Sequence, residues 1–228
     1  RERLITFVIP SRQVLFGCWR AILYIGLPTG VSRMIAPVAV GGVTALMATY
    51  GADAVAAFGV GSRVEILGMS VFFALSAAIA PFIGQNLGQK KWDRIQQAIN
   101  QSNGFSLLWG GLAALVLWLL SAPIAGVFTD SPEVASIVTI YLSIVPISFG
   151  FQGVYLIGSA SLNTIGKPLP AFVISLTQMF IFYLPLAYLG ANIGGTSGAF
   201  VGIALSYFLG ALVFFFYLRR LIERNSRQ

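Results

Sequence analysis

The sequence predicts an all-α membrane protein, a bundle of six transmembrane helices, and three observations carry that reading. Of its 228 residues 57% are hydrophobic and only 9% are charged, too little charge to clothe a soluble globule. Six apolar stretches, 22–50, 54–84, 98–128, 134–165, 169–190 and 196–218, each exceed the about 20 residues a helix needs to cross roughly 30 Å of hydrocarbon. The connections between them alternate in charge. Arg1, Arg3, Arg12 and Arg20 precede the first stretch, Lys90, Lys91 and Arg94 follow the second, and Lys167 follows the fourth. Arg219, Arg220, Arg224 and Arg227 follow the sixth, whereas the other three turns hold Asp53, then Asp130 and Glu133, then no charge around Asn192. Positive segments stay in the cytoplasm, so both ends of the chain are expected inside, in a multi-pass protein of the plasma membrane.

Taken in order, residues 1–21 read as a cytoplasmic linker or interfacial segment, with Trp19 and Arg20 anchoring the first span. Basic, interrupted by Pro10 and lacking a small-residue cleavage site, they do not read as a signal peptide. The chain starts with Arg rather than Met, so a piece of a longer protein is expected. The lobe itself is expected over 22–221, with a cytoplasmic tail at 222–228. A short turn at Gly51–Asp53 makes the first two spans an antiparallel hairpin. The loop GQNLGQKKWDR (84–94) leads into IQQAINQSN (95–103), too polar for lipid, so the third helix is expected to begin in the cytoplasm and enter the membrane near Phe105. In TDSPE (129–133), Ser131 is the expected N-cap, with Pro132 at the first helical position. Gly166-Lys167-Pro168 predicts a tight turn and GANIGGTSG (190–198) a flexible one. Small pairs such as Gly26/Gly30 and Gly198/Gly202 predict close helix packing, and Pro28, Pro37, Pro146 and Pro185 predict kinks.

Several function classes are excluded or disfavoured. The chain has no histidine, which removes Ser–His and Cys–His dyads and His-ligated metals. With Cys18 its only cysteine, it has no internal disulfide and no thiolate cluster. A membrane enzyme is therefore disfavoured, and no resident cofactor or metal is expected. The net charge of +7 is explained by orientation in the membrane rather than by nucleic acid.

Arg33, Arg63 and Glu65 are the exceptions, since all three are placed at membrane depth. A charge at mid-bilayer costs about 2.5–3.5 kcal/mol even on lenient scales, so such residues face the bundle and find partners. Arg33 lies eleven residues into the first span and Glu65 eleven into the second from the opposite side, both roughly 16 Å deep at about 1.5 Å per residue. Glu65 shares a helical face with Gly61, Ser62, Gly68, Met69, Phe72 and Ser76; Arg63 points to the far side. Two readings stay open. Glu65 binds a coupling cation, a proton or a cationic substrate, or it forms a structural pair with Arg33 as its intramembrane charge partner. Burial favours a protonated carboxyl and a close guanidinium an ionised one, so the two roles compete.

A second polar stripe, Ser148, Gln152, Tyr155, Ser159 and Asn163, recurs at helical spacing in the fourth span. The fifth adds Ser175 and Gln178 within the aromatic run Phe180, Phe182 and Tyr183. Gln152, Tyr155 and Gln178 are expected to line a polar cavity for amphipathic cargo, with interhelical hydrogen bonding as the alternative, and Ser159 and Ser175 to serve helix packing.

Four segments carry a resemblance: LPTGVSRM (27–34), GADAVAAFGVGSRVE (51–65), PFIGQNLGQKKWDRIQQA (81–98) and SLNTIGKP (161–168). The chain resembles the second half of the multidrug and toxic compound extrusion (MATE) family, whose members show a similar Arg-x-Glu pair and Gly-Gln-x-x-Gly turn. The resemblance implies one lobe of a twelve-helix, two-lobe transporter, partnered by an N-terminal six-helix lobe and by the lipid bilayer. It further implies export of small lipophilic or cationic compounds against Na+ or H+, by alternating access in the bacterial inner membrane. Two departures stand out. Where some branches carry acids in the first and fourth helices of this lobe, this chain offers Arg33 and Gln152. Other branches couple through an aspartate in the partner lobe. The rival readings are a flippase for lipid-linked saccharides, whose anionic cargo calls for more basic residues than Arg33 and Arg63, and a non-transporting membrane scaffold.

Overall fold

The computed structural model describes residues 11–226, except the side chains of Ile25, Pro28, Thr29, Ser32, Arg33 and Ser226. In order come α1 (Arg12–Ala48), α2 (Ala52–Gly88), α3 (Trp92–Leu119), α4 (Ser121–Phe128) and α5 (Pro132–Ile144). A 3₁₀ turn at Val145–Ser148 leads into α6 (Phe149–Thr164). Then follow α7 (Pro168–Leu176), a π turn at Thr177–Tyr183, and α8 (Leu184–Ser226). No strand occurs among the described residues. A chain in lipid must satisfy its backbone internally, and helices do so within one segment.

Four helical runs are long and apolar enough to cross a membrane: Ala52–Gly88, Trp92–Leu119, Pro132–Thr164 and Pro168–Asn225. The last, of 58 residues, is not one pass. At Gly194 and Gly195, φ/ψ of −135°/23° and 59°/−142° leave the helical region and the chain turns back. The two arms of α8 then pack backbone to backbone. Gly190 meets Gly198, Gly202 meets Leu186, and Gly210 meets the Gln178 side chain, all three pairs symmetric about residue 194. Only residues without a Cβ permit that approach. With the 37 residues of α1, the chain makes the six passes expected from its apolar stretches.

Several boundaries differ from expectation. Residues 12–21 are helical and continuous with the rest of α1, and α8 runs through 222 to Ser226 without a break. The stretch 98–128 is divided at Leu120 into α3 and α4. Gly26 and Gly30 face open space, so the packing expected of that pair does not occur within this lobe. The prolines act unequally. The helix continues through Pro28 and Pro37, Pro146 sits in the 3₁₀ turn, and Pro185 follows the π turn. A proline lacks the N–H of the i−4 bond and its ring crowds that carbonyl, and a widened turn upstream relieves both.

The core gathers at the centre of the lobe. Val43 and Met47 of α1, Phe58 and Phe72 of α2, and Val138, Tyr141 and Leu142 of α5 pack with Phe149 and with Ala187, Ala199 and Phe200 of α8. Outside, Leu108, Val127 and Ile193 are 78%, 83% and 89% exposed, as side chains facing lipid should be. Tyr50 Oη donates to the Ala191 carbonyl at 2.8 Å and fastens the α1–α2 turn to the first arm of α8.

Candidate cation and substrate site

Three elements converge on Glu65. It stands in the first half of α2, half-buried, one turn beyond Gly61. Gly61 gives the ring of Tyr141 a bare backbone to lie against, which brings α5 close enough for the phenol to reach the carboxylate. Tyr141 Oη donates to Glu65 Oε2. From α6, Gln152 Nε2 donates to Glu65 Oε1 at 3.0 Å and lies 3.4 Å from Ser148 Oγ, which in turn donates to the Val145 carbonyl at 2.7 Å. Gly110 and Gly150 let α3 and α6 touch through their backbones, and Gly153 packs on Phe72 and Ser106, so the helix carrying Gln152 is fixed on two sides.

Each carboxylate oxygen thus has one donor, while an ionised carboxylate offers about four lone-pair sites. Capacity remains for a proton or a cation, and the oxygens of Tyr141, Ser148 and Gln152 stand nearby. Aromatic rings wall the site. Tyr141 meets Phe200 edge-on at 4.9 Å and Phe58 at 6.0 Å, and Tyr183 meets Tyr207 at 5.8 Å.

The four residues singled out from the sequence divide into separate places. Glu65 and Gln152 come together. Tyr155 instead donates to Ser175 Oγ of α7 at 3.0 Å and packs edge-on against Phe214, within the apolar cluster of Leu162, Ala171, Ile174 and Leu218. Gln178 lies in the π turn, fully buried, its Nε2 3.5 Å from Ser206 Oγ and its Oε1 without a partner. The polar stripe of α6 therefore winds from α2 at Ser148 and Gln152 to α7 at Tyr155. The side chain of Arg33 lies outside the described residues, and so does the expected Arg33–Glu65 pair. Arg63 is exposed. Tyr141 is the partner that sequence reasoning missed. It sits in the apolar run SIVTIYLSIV, with Ile137, Val138, Ile144 and Val145 one turn away on either side; the signal that could have found it is Ser148 seven residues on, which continues its face into the polar stripe.

The same chain matches the MatE family model over residues 28–189. The chain belongs to the MATE family. MATE proteins are transporters rather than enzymes. Among curated relatives, the chain is 31% identical over 205 residues to the FAD transporter of Shewanella oneidensis, covering 90% of this chain and 45% of that protein. It is 25% identical over 210 residues to the probable multidrug resistance protein NorM of Thermotoga maritima, covering 91% and 45%. Among solved structures it superposes on the Vibrio cholerae MATE transporter VcmN in the bent form with a TM-score of 0.89 and 30% identity, over 95% of this chain and 49% of that one. The chain thus spans about half the length of these relatives and corresponds to one lobe of a MATE transporter.

Proposed function

We propose that this lobe serves a secondary-active exporter that moves small lipophilic or cationic compounds against Na+ or H+, with Glu65 as the lobe's ion-binding carboxylate. The supporting observation is the Glu65 carboxylate within its span, held by Tyr141 and Gln152 from two other helices. An ion taken up there changes the charge of the point where α2, α5 and α6 meet. The lobe would then rock against an N-terminal six-helix partner to expose the cleft to alternate sides, with both ends of this segment in the cytoplasm of a bacterial inner membrane.

Glu65→Gln in the full-length protein tests the role cleanly. The introduced amide can donate to Tyr141 Oη and accept from Gln152, so the network survives while charge and proton are lost. Ion-driven efflux of a lipophilic cation from proteoliposomes is expected to fall by at least about tenfold with folding retained, the scale of one lost charge-assisted interaction. Unchanged efflux would show that Glu65 only ties helices together. A second reading has its own support. The 31% identity to a FAD transporter, with Arg63 exposed, favours an anionic dinucleotide as cargo. Uptake of FAD but not of the lipophilic cation into the same vesicles would decide for it.

A further inference from the structure

We propose that the crevice between the first turns of α3 and the last turns of α8 binds the phosphoethanolamine headgroup of a membrane lipid. It lies apart from the Glu65 site and does not depend on the transported substrate. The polar stretch of α3 has no part in the Glu65 network. Asp93, Gln96, Asn100 and Asn103 recur at intervals of three and four and so share one helical face. Together with Phe215, Arg219, Ile222 and Glu223 of α8, the first three line a crevice of about 470 Å³. A narrow extension continues along Ile99 and Leu218 to Asn103.

The chemistry of the lining selects a zwitterion. Arg219 stands at the centre, lining both parts of the crevice, with its Nε donating to Glu223 at 2.9 Å. Gln96 Nε2 donates to Asn100 Oδ1 at 2.9 Å, which fixes that amide and leaves the Asn100 Nδ2 hydrogens beside Arg219 for an anion. A phosphate diester suits this pair, since guanidinium and amide donors both favour charged oxygens. One acceptor stands at its mouth. Asp93 has no hydrogen-bond or ion-pair partner among the described residues. It calls for an N–H close to the phosphate. A primary ammonium two carbons away supplies it, and a quaternary choline cannot. The position suits a lipid as well. Residues 95–103 are too polar for hydrocarbon, and Phe215, Leu218 and Ile222 give the glycerol and first methylenes an apolar wall.

The test uses the delipidated full-length protein and native mass spectrometry, with dioleoyl phosphatidylethanolamine, phosphatidylcholine and phosphatidylglycerol as probes. Retention of the ethanolamine lipid is expected to exceed that of the choline lipid by about tenfold, the worth of one hydrogen bond to a charged group. Asp93→Asn, at an exposed site, is expected to shrink that preference towards unity without changing choline-lipid retention, while Arg219→Ala lowers retention of all three lipids. Equal retention of ethanolamine and choline lipids overturns the assignment. So does retention of the glycerol lipid at or above the ethanolamine level, or a preference that Asp93→Asn keeps.

Discussion

At the scale of single residues, the Glu65 site depends on an aromatic ring that has two jobs. Tyr141 is 1% exposed and packs between Phe58 and Phe200, and its hydroxyl reaches Glu65. Tyr141→Phe removes the hydroxyl and leaves the packing. A donor to a charged acceptor is worth about 1.5–3 kcal/mol, so the variant is expected to lower the melting temperature in detergent and, by freeing Glu65 Oε2, to raise apparent affinity for the coupling ion about tenfold; an unchanged affinity would mean that the hydroxyl serves stability alone. Gly61→Ala separates the jobs from the other side. Its Cβ would lie 2.5–2.7 Å from three atoms of the Tyr141 ring, and overpacking of that kind costs about 1–3 kcal/mol. Both stability and ion-driven efflux should fall, and an unaffected melting temperature would show that the ring can move away. Half of this site was legible in the sequence. Glu65 announces itself because a carboxyl at membrane depth has few bland explanations, and Gln152 because it lies on a polar stripe. Tyr141 is faint, because a phenol in an apolar run reads as core although Ser148, seven residues on, places it at the head of the same stripe.

Among the elements, hydropathy read the passes well because lipid leaves so few alternatives for a backbone. The turns were legible where side chains cap them. Ser131 accepts from the Val134 N–H at 3.4 Å with Pro132 behind it, as the TDSPE segment implied. What composition does not encode is where a helix changes its winding. The 3₁₀ turn at Pro146 and the π turn before Pro185 fall at two of the prolines, but α1 runs on through Pro28 and Pro37, and the break at Leu120 has no proline to announce it. Two turns of like geometry yield a prediction. After α6, Gly166 adopts φ +80°, with Gly166 N–H to Asn163 and Lys167 N–H to Leu162 at 3.1 and 2.8 Å. After α2 the same pair of bonds forms from Lys90 to Leu87 and Lys91 to Asn86, at 3.0 and 2.9 Å, but Lys90 must hold φ +54° with a side chain. Glycine is the residue suited to that position. Lys90→Gly is therefore expected to stabilise the lobe by about 0.5–1 kcal/mol, read as a raised melting temperature. An unchanged or lowered melting temperature would mean that the lysine makes a compensating contact at the helix end.

For the molecule as a whole, the consequence to test is its orientation. The passes alternate, so the turns at Lys90–Lys91 and Gly166–Lys167 and the end of α8 share one face of the membrane, while Asp53, Asp130 and Gly195 share the other. Nine of the eleven basic residues among the described ones belong to the first face; Arg33 and Arg63 are the exceptions within the spans. Because Lys and Arg near span ends are retained in the cytoplasm, the face with Lys167 should be inside. The pass Pro132–Thr164 separates Asp130 from Lys167, so a cysteine at each reports opposite sides. In a Cys18→Ala background of the full-length protein, Asp130→Cys is expected to react with a membrane-impermeant maleimide in intact cells. Lys167→Cys should react only after permeabilisation. The opposite pattern would overturn the orientation and place the α3–α8 crevice in the outer leaflet. Labelling of both sites in intact cells would instead mean that the lobe inserts in two orientations, and that the basic residues of one face do not suffice to choose between them.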